Sequence, residues 1–148
     1  MPIGGGSQLE DRRRRLIEQL QRMSDEQFAA VVRREQAARW RAMDLERHSR
    51  AHRRDFLDLL GRALTPGELE ALSREVLHSW ERVFNELEPS GNVSCVFVRS
   101  LPEPGSAMLV VTRGGRIRST FPTRDFAGWQ HRHPAAIEVT DRAKGLVR

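Results

Sequence analysis

Apolar positions follow a helical rhythm up to about Leu87 and an alternating one after it. From Leu9 onward, Leu16, Leu20 and Met23 recur at helical spacing, and Arg12 to Arg15 fill the first turns as a solvated charge run. "SDEQ" then reads as a capping box, with Ser24 as N-cap and Gln27 three residues on. No Gly or Pro falls between Ser24 and Gly61, which predicts a long second helix. Its stripe through Phe28, Val31, Val32, Ala38, Met43 and Leu45 is weak and sharpens only at Phe56, Leu57, Leu59 and Leu60. Gly61, Thr65 and Pro66 then supply a helix stop, an N-cap and a first helical position. A third helix is predicted through Leu69, Leu72, Val76, Leu77 and Trp80 to about Leu87.

After "EPSGN" the chain reads as strands: "VSCVFVRS", the loop "LPEPGS", "AMLVVTR", a two-glycine turn, and "RIRSTFPT". "RDFAGWQHRHP" is irregular or briefly helical, and "AAIEVTD" reads as a fourth strand. Helices followed by hairpin-linked strands predict an α+β fold with a four-stranded antiparallel sheet. The expected organisation is residues 1–8 disordered, 9–46 a poorly buried helical extension, 47–142 the α+β domain and 143–148 a tail. If Gly114 and Gly115 form the turn, Arg113 pairs with Arg116, Val111 with Arg118 and Leu109 with Thr120.

A length of 148 residues with 39% apolar side chains supports one modest core. The net charge is +5 and Lys144 is the only lysine, so the positive charge is almost wholly guanidinium, weighted to residues 91–148. Phosphate binding and a G- and C-rich genome both account for such a bias. A pI near 11.0 fits a polyanionic partner, with RNA as the expected one. The lone Cys95 excludes an intramolecular disulfide and any Cys-based zinc site. No signal-peptide core and no membrane-length apolar run is visible, so a cytoplasmic protein without a membrane partner is expected.

Candidate chemistry gathers in three places. On the hairpin, Arg113 and Arg116 belong to the solvated tip, whereas Arg118 and Thr120 share a face further in. Together they would cradle a phosphate oxygen, or Arg118 pairs with Glu138 and Thr120 is only a strand former. His48 and His52, four residues apart among Arg50, Arg53 and Arg54, share a helix face. They read as a phosphate-facing acid–base pair or as a solvated face; a zinc site would need a third ligand that no nearby carboxylate supplies. His131 and His133 flank Arg132 in a loop, the third place, while His78 reads as structural. No "GxSxG", P-loop, "GxGxxG" or "HExxH" motif occurs.

The succession "RHSRAHRRDFLDLL", "TPGELEALSREVLHSWERVF", "CVFV", "LVVTRGGRIRSTFPT" and "IEVTD" resembles the phage- and toxin-associated nuclease domains of the barnase, EndoU, colicin and RelE-like superfamily, over roughly residues 47–142. The strand of the form G-x-I-x-T-x-F-P is matched by Gly115, Ile117, Ser119 or Thr120, Phe121 and Pro122. The resemblance implies a metal-independent ribonuclease without a cofactor, and a protein inhibitor or antitoxin as a further partner. It implies a helix histidine at His52 or His48, a strand arginine at Arg99 or Arg118, and a hydroxyl at Thr120 or Ser119. Arg53, Arg99, Arg113, Arg116, His131 and His133 are then the expected substrate-binding side chains, with Trp129 or Phe121 available to stack a base. A non-catalytic RNA- or protein-binding module of the same fold is the alternative.

Overall fold

The computed structural model describes residues 5–147. The first helix, α1 (Gly5–Arg22), begins ahead of the expected Leu9. Of the segment expected to be disordered, Gly5–Gln8 open α1 and residues 1–4 lie outside the described residues. Ser24 caps α2 (Asp25–Gln36): its Oγ accepts the Gln27 amide at 3.1 Å and Gln27 Oε1 accepts the Ser24 amide at 2.9 Å. The single long helix predicted beyond it is three helices, because α3 (Ala42–Ala51) and α4 (Arg53–Leu60) follow separate breaks. No breaker residue causes the first break. Tertiary pairing does: the backbone of Arg39 bonds to Gly115 O at 3.3 Å and to the Ile117 amide at 3.0 Å. Ala38 and Trp40 on either side are buried.

Gly61, at φ +77°, ends α4 in the left-handed region. α5 (Pro66–His78) starts with the expected Thr65–Glu68 capping box. It stops nine residues short of the predicted Leu87, and β1 (Arg82–Leu87) takes up that stretch. β2 (Val93–Ser100), β3 (Ala107–Arg113) and β4 (Arg116–Thr123) follow as expected. After them come α6 (Phe126–Arg132), a two-residue β5 (Ile137–Glu138) and α7 (Thr140–Val147). The class is α+β, and the antiparallel sheet has five strands in the order β4-β3-β2-β1-β5, not four. The expected tail is mostly the end of α7.

The helices α1, α2, α5 and α7 cover one face of the sheet. Leu16, Phe28 and Val32 are buried in the same cluster as Phe97, Val110 and Trp80, so residues 9–46 build the main core and are not a poorly buried extension. Each such side chain contributes about 1.5–3 kcal/mol by leaving water. On the other face α6 packs Phe126 and Trp129 over Phe84 and Leu109. The Arg82 guanidinium sits 5.0 Å from the Phe126 ring centre and grips Glu138 at both oxygens, 2.8 and 3.0 Å. Among the described residues no helix is long and apolar enough to cross a membrane.

Candidate phosphate-binding site at the β4 edge

β4 is an outer strand, and its register differs from the one expected. Arg113 opposes Arg116, but a bulge near Val111 and Thr112 leaves Arg118 unpaired, so Val111 opposes Ser119 and Val110 opposes Thr120. Thr120 therefore joins Ile117 on the helix side, where it is fully buried. Its hydroxyl lies 2.7 Å from Ser73 Oγ, which also bonds Leu69 O at 2.8 Å and accepts Trp40 Nε1–H at 3.0 Å. The expected partnership of Arg118 and Thr120 on one open face is thus corrected: the hydroxyl is spent inside the core. Ser119 shares the opposite face with Phe121 and is half-buried. Arg118 cannot pair with Glu138 either, since β5 borders the far side of the sheet and Glu138 holds Arg82.

Two helices run along this edge. His48 on α3 closes it: its Nε2 lies 2.7 Å from Thr120 O and 3.1 Å from the Thr120 amide nitrogen. When protonated at Nε2 it donates to the carbonyl; when bare there it accepts the N–H. The rings of Trp40, His48, His52 and Phe121 form a row, with centres 5.0, 4.2 and 6.4 Å apart in turn. Beside it, Trp40, Asp44, Arg47, His48, Ile117 and Arg118 line a hollow of about 260 Å³. The structure thus brings His48 and Arg118 together and sets His52 against His48.

His52 sits at the α3–α4 junction, where its Nδ1 bonds Asp55 Oδ2 at 2.9 Å. An ionised carboxylate only accepts, so Nδ1 carries the proton and Nε2 is left as the basic nitrogen. Arg39, Arg41, Arg53, Arg54, Arg116 and Arg118 are exposed and make no ion pair among the described residues. Arg47 and Arg50 pair with their own helix neighbours Asp44 and Glu46. The edge is therefore a belt of guanidinium around two imidazoles.

The remaining expected site residues lie elsewhere. Arg99 is bound to Glu75 at 2.8 Å and Ser79 at 3.0 Å. Arg113 is paired to Glu88. His131 is exposed on α6, and His133 stacks on Trp129 at 4.5 Å and bonds Glu86 at 3.2 Å, both on the α6 side. Trp129 is buried there and cannot stack a base; Phe121, half-buried beside His52, is the aromatic at the edge. His78 is exposed rather than structural. Among the described residues no group of three His, Cys, Asp or Glu side chains is placed to hold a metal ion.

Three contributors had no distinct signal in the sequence. Glu35, 1% exposed, accepts the Gly115 amide at both oxygens, 3.1 and 3.0 Å, and Arg34 Nε at 2.7 Å, so it clamps the β3–β4 turn to α2. Trp40 and Asp55 are the others. The spacing of Asp55 three residues after His52 is the one clue that could have found a partner for that ring.

Burial holds the His48 imidazole below its ordinary value of 6.5, helped by the charge of His52 and opposed by the bond to Thr120. A depressed folded value means that neutral His48 stabilises the fold. That contribution is full above 6.5, where the unfolded chain is also neutral, and is lost as pH falls through the lower folded value. Urea unfolding is expected to show a lower midpoint near pH 5 than near pH 7.5. In His48→Asn that difference should shrink; an unchanged difference would assign it to other groups.

Neither a family model, nor a curated protein, nor a solved structure matches this chain.

Proposed function

We propose that the β4 edge binds the phosphodiester backbone of single-stranded RNA and that the protein is a metal-independent ribonuclease-like domain. The observation that carries this reading is His52: Asp55 fixes its proton on Nδ1, and its other nitrogen is left basic beside His48 within a belt of unpaired arginines. His52 Nε2 takes the proton of a ribose 2′-hydroxyl, and the 2′-oxygen attacks the adjacent phosphorus. The bond from phosphorus to the 5′-oxygen breaks, and that oxygen regains a proton from His52 or water, leaving a 2′,3′-cyclic phosphate. Arg118 in the hollow stabilises the charge that gathers on the non-bridging oxygens.

The resemblance to phage- and toxin-associated nucleases favours this chemistry, and a cognate protein inhibitor would be expected to cover the same arginine belt. A second reading, a non-catalytic RNA-binding module, is favoured by two contacts. His48 Nε2 is engaged by Thr120, and the Thr120 hydroxyl is buried against Ser73, so fewer reactive groups are free than the resemblance implies.

Single-stranded RNA incubated with the protein in EDTA is expected to yield cyclic phosphate ends, while a 2′-O-methyl copy stays intact. RNA that survives but binds with a steep salt dependence would establish the second reading. RNA that is neither cut nor bound would remove both.

A further inference from the structure

A separate cavity of about 370 Å³ lies between α1, α2 and the sheet, beside the β3–β4 turn. It shares no lining residue with the histidine hollow. At about 30 Å³ per liquid water, this one has room for about a dozen, which is the space of a two- or three-ring molecule. Leu20, Phe28 and Val31 line it from the helices together with Gln19 and Arg34, and Asn92 and Arg113 line it from the sheet side; the two guanidiniums are held by Glu35 and Glu88.

Three buried polar side chains, Glu35, Asn85 and Cys95, lie beside the apolar part of that wall. Both hydrogen bonds of Asn85 leave from its amide nitrogen, to Ser94 O at 3.4 Å and Cys95 Sγ at 3.0 Å, so its carbonyl oxygen is unspent. A carboxylate offers about four acceptor positions, of which Glu35 uses three, one on Oε1 and two on Oε2. Burial, with the charge of Glu35 adding to it, pushes the Cys95 thiol up to about 12, so it faces the cavity neutral. What the buried polar atoms still offer is acceptors.

We propose that this cavity binds a small, flat, mostly apolar molecule bearing an N–H donor, of the aromatic heterocycle class. Ligand sites commonly combine a few hundred cubic ångströms of apolar wall with a small number of convergent polar groups. The N–H would answer Asn85 Oδ1 or Glu35 Oε1, and the ring would lie against Phe28 and Leu20.

Indole and benzofuran make a matched pair of probes, alike in shape and differing by the N–H. Indole titrated into the full chain is expected to shift the amide resonances of residues 31–35 and 92–95. It should bind about tenfold more tightly than benzofuran, the worth of one well-made hydrogen bond. In Asn85→Leu the two probes should bind more nearly alike. Val31→Trp, at a half-buried position on the cavity wall, should abolish both while the protein stays folded, and this variant decides the matter if Asn85→Leu does not fold. No indole shift at millimolar concentration, equal binding of benzofuran, or binding unaltered in Val31→Trp would overturn the proposal. Any of these failures leaves the RNA reading untouched, because the two sites share no residue.

Discussion

His52→Ala is expected to lower the rate of RNA cleavage by about 10²–10⁴-fold, the usual loss when a positioned base is removed. His52 is half-buried, its ring lies beside His48, Phe56 and Phe121, and its side-chain hydrogen bond goes to exposed Asp55, so the fold should survive its truncation. Circular dichroism and the urea midpoint check that point. Asp55→Ala should slow cleavage as well, because the ring loses its fixed tautomer but remains in place. Arg118→Ala should weaken binding and reduce the salt slope by about 0.7 if one phosphate contact is lost. Cleavage in His52→Ala at the original rate would assign any activity to another group.

Glu35→Ala is expected to destabilise the protein by about 2–4 kcal/mol, large for a single side chain on a surface-charged helix. The carboxylate satisfies the Gly115 amide twice over and meets Arg34, with almost none of it exposed. Removing it leaves a turn amide without its partner and opens space against the neighbouring cavity. Glu35→Gln keeps the shape and one acceptor, so its cost should be about 1 kcal/mol. Urea unfolding with an unchanged m-value measures both, and faster hydrogen exchange at Gly115 should accompany the larger loss. Equal stabilities for all three proteins would mean that the turn holds itself.

Some of this architecture was legible in the sequence. The Ser24 and Thr65 caps, the Gly61 stop and the Gly114–Gly115 turn, with φ of 59° and 78°, are local chemistry that local residues dictate. β1 was hidden because Trp80, Val83, Phe84 and Leu87 continue the apolar spacing of α5 without a breaker. The end of α5 is set by the sheet instead: the Glu81 amide donates to Val98 O at 2.8 Å. The break at residues 37–41 is likewise a tertiary event. The bulge at Arg118 has no sequence mark, and one extra residue turned Thr120 from the open face to the core. The histidine pair was visible as spacing, but the division of labour was not. It depends on Thr120 and Asp55 reaching two rings from different directions.

The closed edge of β4 has a consequence for concentrated solutions. Arg39 covers the Ile117 amide and His48 covers Thr120, so an outer strand that would otherwise present bare peptide groups to a neighbouring chain is blocked. One of the two blocks is an imidazole, which when protonated trades the Thr120 amide for the Thr120 carbonyl. In that state the ring still holds Thr120 through its carbonyl and Arg39 still holds Ile117, so a single N–H is the most that the outer strand offers a neighbour.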